Sequence, residues 1–167
     1  TNTGFKYFLI EDLSHTSTIE YSLKEYNITN SSTAPKSIDK QSGGNADILI
    51  NNTLVYNKLN SFIRPTKGNY ISYANVLSPV TNSDNGYLKN ILTYKKYYNY
   101  ETNIISVQTK LGNIISLQDD ELLVDDKFSL GGRWLRGFDS FGIGPRNSRT
   151  SYVGGNNIIV TKLDLQR

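Results

Sequence analysis

Along most of this chain apolar and polar side chains trade places every second residue, and that period admits one regular element, a β-strand with two unlike faces. From Thr16 to Ile28, Ile19, Tyr21 and Leu23 share one face, and Thr18, Glu20, Ser22 and Lys24 share the other. Ile48 to Leu59 sets Ile48, Ile50, Leu54 and Tyr56 against Asn51, Thr53 and Asn57. Tyr87 to Tyr100 sets Leu88, Leu92, Tyr94 and Tyr98 against Lys89, Thr93 and Lys95, and Thr102 to Ile115 sets Ile105, Val107 and Leu111 against Ser106, Gln108 and Lys110. The 3.6-residue period of an amphipathic helix is nearly absent. An all-β, antiparallel fold is expected.

The breaks between these patterns alternate in length. Glu11 to Ser14, Ser61 to Gly68 and Asn99 to Thr102 are short, whereas Asn30 to Asn45, Ser78 to Gly86 and Leu117 to Leu130 are long. Tight turns on one side and long loops on the other belong to a transmembrane β-barrel. A soluble sandwich shares the alternation, so pattern alone leaves both open. Mean hydropathy of −0.44 does not choose, because a barrel hides its apolar residues in alternation. No run reaches the roughly 20 apolar residues of a membrane-spanning helix, and Thr1 to Ile10 lacks the charged start and apolar centre of a signal peptide. If this chain spans a membrane, it does so with strands. Residues 1–167 read as one domain whose first residue is not methionine, and both ends are read as cuts.

Chemistry is narrowly bounded. With no cysteine there is no thiolate nucleophile, disulfide or cysteine metal site. His15, the single histidine, lies in a polar turn and cannot form a triad alone. Asp119, Asp120, Glu121, Asp125 and Asp126 lack the spaced oxygen pattern of an EF-hand and read as a solvated loop. No enzyme, cofactor or metal site is expected. The net charge of +3 is spread along the chain without a polybasic block, so nucleic acid is not an expected partner.

Leu130 to Arg146, LGGRWLRGFDSFGIGPR, differs from everything around it, with five glycines, a proline, three arginines and three large aromatics. It is too glycine-rich for a lipid-facing strand and too apolar, through Trp134, Leu135, Phe138, Phe141 and Ile143, for free solvent. A loop packed in a confined space is expected, with glycines permitting close backbone approach. Alone, the Arg136-Gly137-Phe138 triplet would read as a solvated arginine in a hairpin loop.

It does not stand alone. Gly131-Gly132, then Leu135-Arg136-Gly137-Phe138, then Gly144-Pro145-Arg146, and Gly154-Gly155-Asn156 opening a strand, resemble the long lumen loop of the BamA family. Glu11-Asp12-Leu13, Pro65-Thr66-Lys67-Gly68 and Asp126-Lys127-Phe128-Ser129-Leu130 extend the resemblance over nearly the whole chain. The family often carries serine or threonine where Trp134 stands.

The resemblance implies a partial transmembrane barrel of about eight strands, with a lumen loop over about 130–155. It also implies a bacterial outer-membrane location and non-covalent insertion of unfolded β-barrel substrates, aided by accessory lipoproteins and outer-membrane lipid. A two-partner secretion or translocation-and-assembly transporter of the same superfamily, or a passive porin, is the alternative. Within the lumen Arg136 would keep its charge and need an acidic partner. Asp164, sharing a strand face with Ile158, Val160 and Lys162, is the expected one, and Phe138 is expected to pack on lumen residues.

Overall fold

The computed structural model describes residues 1–26, 43–79, 86–118, 122–132, 134–146 and 152–167. The expected loop Asn30 to Asn45, most of Ser78 to Gly86, and Asp119, Asp120 and Glu121 lie wholly or largely outside them. Seven strands form a single antiparallel sheet in chain order: β1 (Asn2–Ile10), β2 (Leu13–Tyr26), β3 (Gly43–Leu59), β4 (Gly68–Ser78), β5 (Tyr87–Tyr100), β6 (Asn103–Ser116) and β7 (Asn157–Gln166). The expectation was about eight. Among the described residues β7 does not pair with β1, so the sheet is an open part of a barrel wall.

The two-residue alternation is realised as two faces of opposite character. On the outer face the register aligns Tyr7, His15, Leu54, Tyr73, Leu92, Leu111 and Ile159 into one row across all seven strands. His15 therefore lies within β2, 5.2 Å from the Tyr7 ring, and not in the polar turn expected for it. In β7 the contrast is sharp: Ile159, Leu163 and Leu165 are 79%, 72% and 72% exposed, while Ile158 and Val160 on the inner face are 6% and 8% exposed. An outward face carrying this many bare aliphatic and aromatic side chains, with Asn52, Asn75, Asn90 and Asn113 among them, is costly against water and natural against hydrocarbon. This decides between the two all-β readings left open by the pattern.

Short connections join the strands at one end, two residues between β1 and β2 and between β5 and β6. The longer turn from β3 to β4 is tied by Asn60, whose Oδ1 accepts from the Thr66 and Lys67 amides at 3.0 Å each. At the other end the chain between β6 and β7 returns over the inner face. There Tyr87, Ile114, Ile158 and Val160 from the wall and Leu122 and Phe128 from the loop make the core.

Candidate functional site: a loop seated on the inner wall

The loop that follows β6 is braced by its own backbone. Phe128 and Gly155 exchange two hydrogen bonds (2.9 and 2.8 Å), as do Leu130 and Ile143 (3.3 and 3.1 Å), and the Val153 amide donates to the Pro145 carbonyl at 2.9 Å. These bridges fold the segment into a narrow double strand whose tip, closed by Gly132 N–H to Phe138 O at 2.9 Å, carries Arg136 and Gly137. Arg146 bridges Tyr152, stacks its guanidinium 4.2 Å from that ring and donates to the phenol oxygen.

Two aromatic side chains seat this loop on the wall, each over a lysine of an adjacent strand. Phe128 is buried, with Lys89 of β5 4.6 Å from its ring centroid. The same lysine donates to the Asp126 carbonyl at 2.6 Å. The Phe128 ring occupies the space left by the absent side chain of Gly112 in β6, where a Cβ would stand 2.6 Å from Phe128 Cζ. Trp134 packs against the core, with Lys110 of β6 5.7 Å from its ring centroid. Beneath it is a cavity of about 290 Å³ lined by Tyr70, Thr93, Lys95, Gln108, Trp134 and Lys162. A cation over an aromatic face contributes ~0.5 to 2 kcal/mol, more when water is excluded. The inner wall therefore uses its lysines as seats for aromatic rings.

The expected ion pair is not formed. Asp164 pairs with Lys162 at 3.0 Å, its neighbour two positions along the same strand face, and among the described residues Arg136 is exposed with no carboxylate partner. The register explains why. Asp164 lies opposite Ser106, whereas the wall residue under Trp134 is Lys110, four residues further along β6. At ~3.3 Å per residue that is about 13 Å of wall between the loop's aromatic seat and the carboxylate. Phe138, expected to pack inward, is 53% exposed at the tip, and the packing falls to Phe128 and Trp134. Gly131 and Gly132 lie half-buried in the loop's base, while Gly144, Pro145 and Arg146 line its exposed return.

Trp134 was legible only as an unusual residue in the motif; nothing in the alternation showed which wall residue it would meet. Its removal has a readable consequence. Trp134→Ala should cost the seated loop about 2 kcal/mol, below the full-burial range because the ring is half-exposed. Trypsin cleavage at Arg136 should then accelerate by about tenfold or more, since the tip must open to be cut. Unchanged cleavage would show that the ring does not hold the loop.

The wall and loop together have known counterparts. The model of the Omp85 superfamily domain matches residues 1–166. The chain is 31% identical over 126 residues to the Sorting assembly machinery 50 kDa subunit of Saccharomyces cerevisiae, covering 71% of this chain and 25% of that protein. It is 26% identical over 136 residues to the outer membrane protein assembly factor BamA of Neorickettsia risticii, covering 80% of this chain and 18% of that protein. The crystal structure of BamA from Haemophilus ducreyi lacking POTRA domains 1–3 superposes with a TM-score of 0.77 at 22% identity, over 98% of this chain and 36% of that one. The chain thus spans about a quarter or less of the length of these curated relatives. A sheet that is apolar outside, with a glycine-rich loop laid on its inner face and a family match running from the first strand to the last, makes this chain a member of the Omp85 superfamily and part of its outer-membrane β-barrel.

Proposed function

We propose that the protein containing this chain folds and inserts β-barrel proteins into an outer membrane, by a non-covalent mechanism in which the wall and its seated loop hold the barrel in a competent shape. The observation that carries this reading is the loop itself: Phe128 and Trp134 fixed over Lys89 and Lys110, inside a wall whose other face is a lipid-facing belt. The names of the relatives, an assembly factor and a sorting and assembly subunit, support the same reading.

On this reading the substrates are unfolded barrel proteins, presented as strands with unsatisfied backbone edges, and accessory subunits and outer-membrane lipid are partners. The relatives come from a bacterium and from two eukaryotes, so the expectation of a bacterial cell narrows to an outer membrane. The test is reconstitution of the complete protein in phosphatidylcholine vesicles. Added urea-unfolded barrel substrate should acquire its folded, heat-modifiable gel mobility faster than in empty vesicles. Ion conductance without any acceleration would favour the pore and reject the assembly role.

A further inference from the structure

Near the short turns the outer face changes character. Register aligns Lys58, Asn69 and Lys96 across β3, β4 and β5, and one step nearer the turn stand Asn60, Lys67 and Tyr98. These six and Asp12 of the β1–β2 turn are among the residues lining a hollow of about 610 Å³. Three ammonium groups meet one carboxylate there. Lys58 lies 3.5 Å from Asp12, but with side chains 65% and 33% exposed that pair is a weak tie. Among the described residues Lys67 and Lys96 form no ion pair, and Glu11 and Glu101, exposed in the neighbouring turns, do not line the hollow.

What covers this hollow follows from the rest of the face. Ile48, near the other end of β3, shares the outer face with Lys58. At ~3.3 Å per residue the strand between them runs about 33 Å, or about 25 Å in height at a ~40° tilt, the height of a barrel's apolar band. Lys58 therefore stands at the edge of the band and not at its centre. Along β5, Tyr94 and Tyr98 flank Lys96 at 38% and 56% exposure, as aromatic side chains do at the headgroup level. The tilt sets Lys58 and Lys96 at different depths: two strand spacings are about 10 Å, which the tilt turns into an offset of about 6 Å along the membrane normal. Flexible four-carbon stems bridge such an offset, and they carry ammonium groups out of hydrocarbon to the interface.

We propose that this hollow binds the phosphate of an anionic phospholipid in the leaflet at the short-turn end. The proposal rests on the membrane-barrel reading of the chain and not on its assembly role. Its argument is position and charge. Lipid covers the outer face, and at the edge of the apolar band lipid presents headgroups, whose shared anionic group is phosphate. Three lysines against one aspartate leave a positive surplus. A headgroup with net negative charge matches that surplus, whereas a zwitterionic one brings its own cation against the lysines.

The complete protein in nanodiscs of equal phosphatidylglycerol and phosphatidylcholine should carry phosphatidylglycerol preferentially when released for native mass spectrometry. A lysine at an anionic lipid surface contributes about fivefold in affinity. Lys58→Gln with Lys96→Gln should therefore lower the preference by about tenfold or more. Both lysines are exposed, so the barrel should keep its heat-modifiable mobility. Lys6→Gln with Lys95→Gln, the same change of charge on the inner face, should leave the preference as it was. Inorganic phosphate in place of chloride, at matched ionic strength, should not reduce it; a reduction would assign the hollow to a soluble anion and overturn the lipid assignment. Equal retention of both lipids by the unmodified protein would leave these lysines to an acidic protein partner and overturn it too. Undiminished preference in the Lys58 and Lys96 variant, or an equal loss in both lysine pairs, would do the same while leaving the barrel reading intact. Failure of the unmodified protein to resist carbonate extraction from membranes would overturn both.

Discussion

Replacing Phe128 by alanine is expected to release the loop from the wall. Truncating a buried phenylalanine removes ~3 to 5 kcal/mol, of which the empty volume left behind is a part. Here the loss falls on one interface, because the ring fills the slot over Gly112 and faces Lys89 at 4.6 Å. The backbone bridge between Phe128 and Gly155 survives the substitution, so the loop stays a double strand but loses its seat. Trypsin cleavage at Arg136 should rise by about two orders of magnitude, the factor that ~3 kcal/mol implies. Gly112→Val attacks the same contact from the wall, since its side chain would displace the ring. Both variants should behave alike and both should slow assembly of barrel substrates. Slow cleavage in both would mean that the loop is held elsewhere and that this contact is incidental.

How far the sequence exposed this arrangement depends on the range over which each feature acts. Strand faces are set by neighbours two residues apart, and Leu92 against Thr93 or Ile159 against Val160 could be sorted without knowing any pairing. The turns at Glu11-Asp12 and Glu101-Thr102 and the anomalous loop were equally local. Cross-strand register is not local. Asn52, Asn90 and Asn113 each stand between apolar residues two positions away on the same face, and singly each looks like a composition accident in an asparagine-rich chain. Only the pairing of Asn52 with Asn75, and of Asn90 with Asn113, turns them into a row. The Arg136 expectation fell short for the same reason. Strand parity placed Asp164 on the correct face, but its height on the wall, and the nearer Lys162 that takes it, follow from the register of β7 on β6.

Gly131→Ala should be the most damaging single-atom addition in the loop, and Gly137→Ala, six residues away, among the mildest. Both glycines have positive φ, 140° and 89°, where an L side chain costs ~1 to 3 kcal/mol by conformation alone. Their surroundings differ. A Cβ on Gly131 would fall on the Asp139 carbonyl oxygen, the acceptor of the Gly142 amide at 2.8 Å, so the base of the tip must come apart. A Cβ on Gly137 meets nothing within 4 Å. Gly131→Ala is therefore expected to lose more than ~3 kcal/mol of loop order, with fast tryptic cleavage and little assembly activity. Gly137→Ala should stay near the ~1 kcal/mol end, with cleavage raised several-fold at most. Measuring the two together separates order from contact. If Gly137→Ala leaves the loop protected yet abolishes assembly, the exposed Arg136-Gly137-Phe138 tip must touch a partner directly; if activity follows cleavage in both variants, holding the loop in place is the tip's whole contribution.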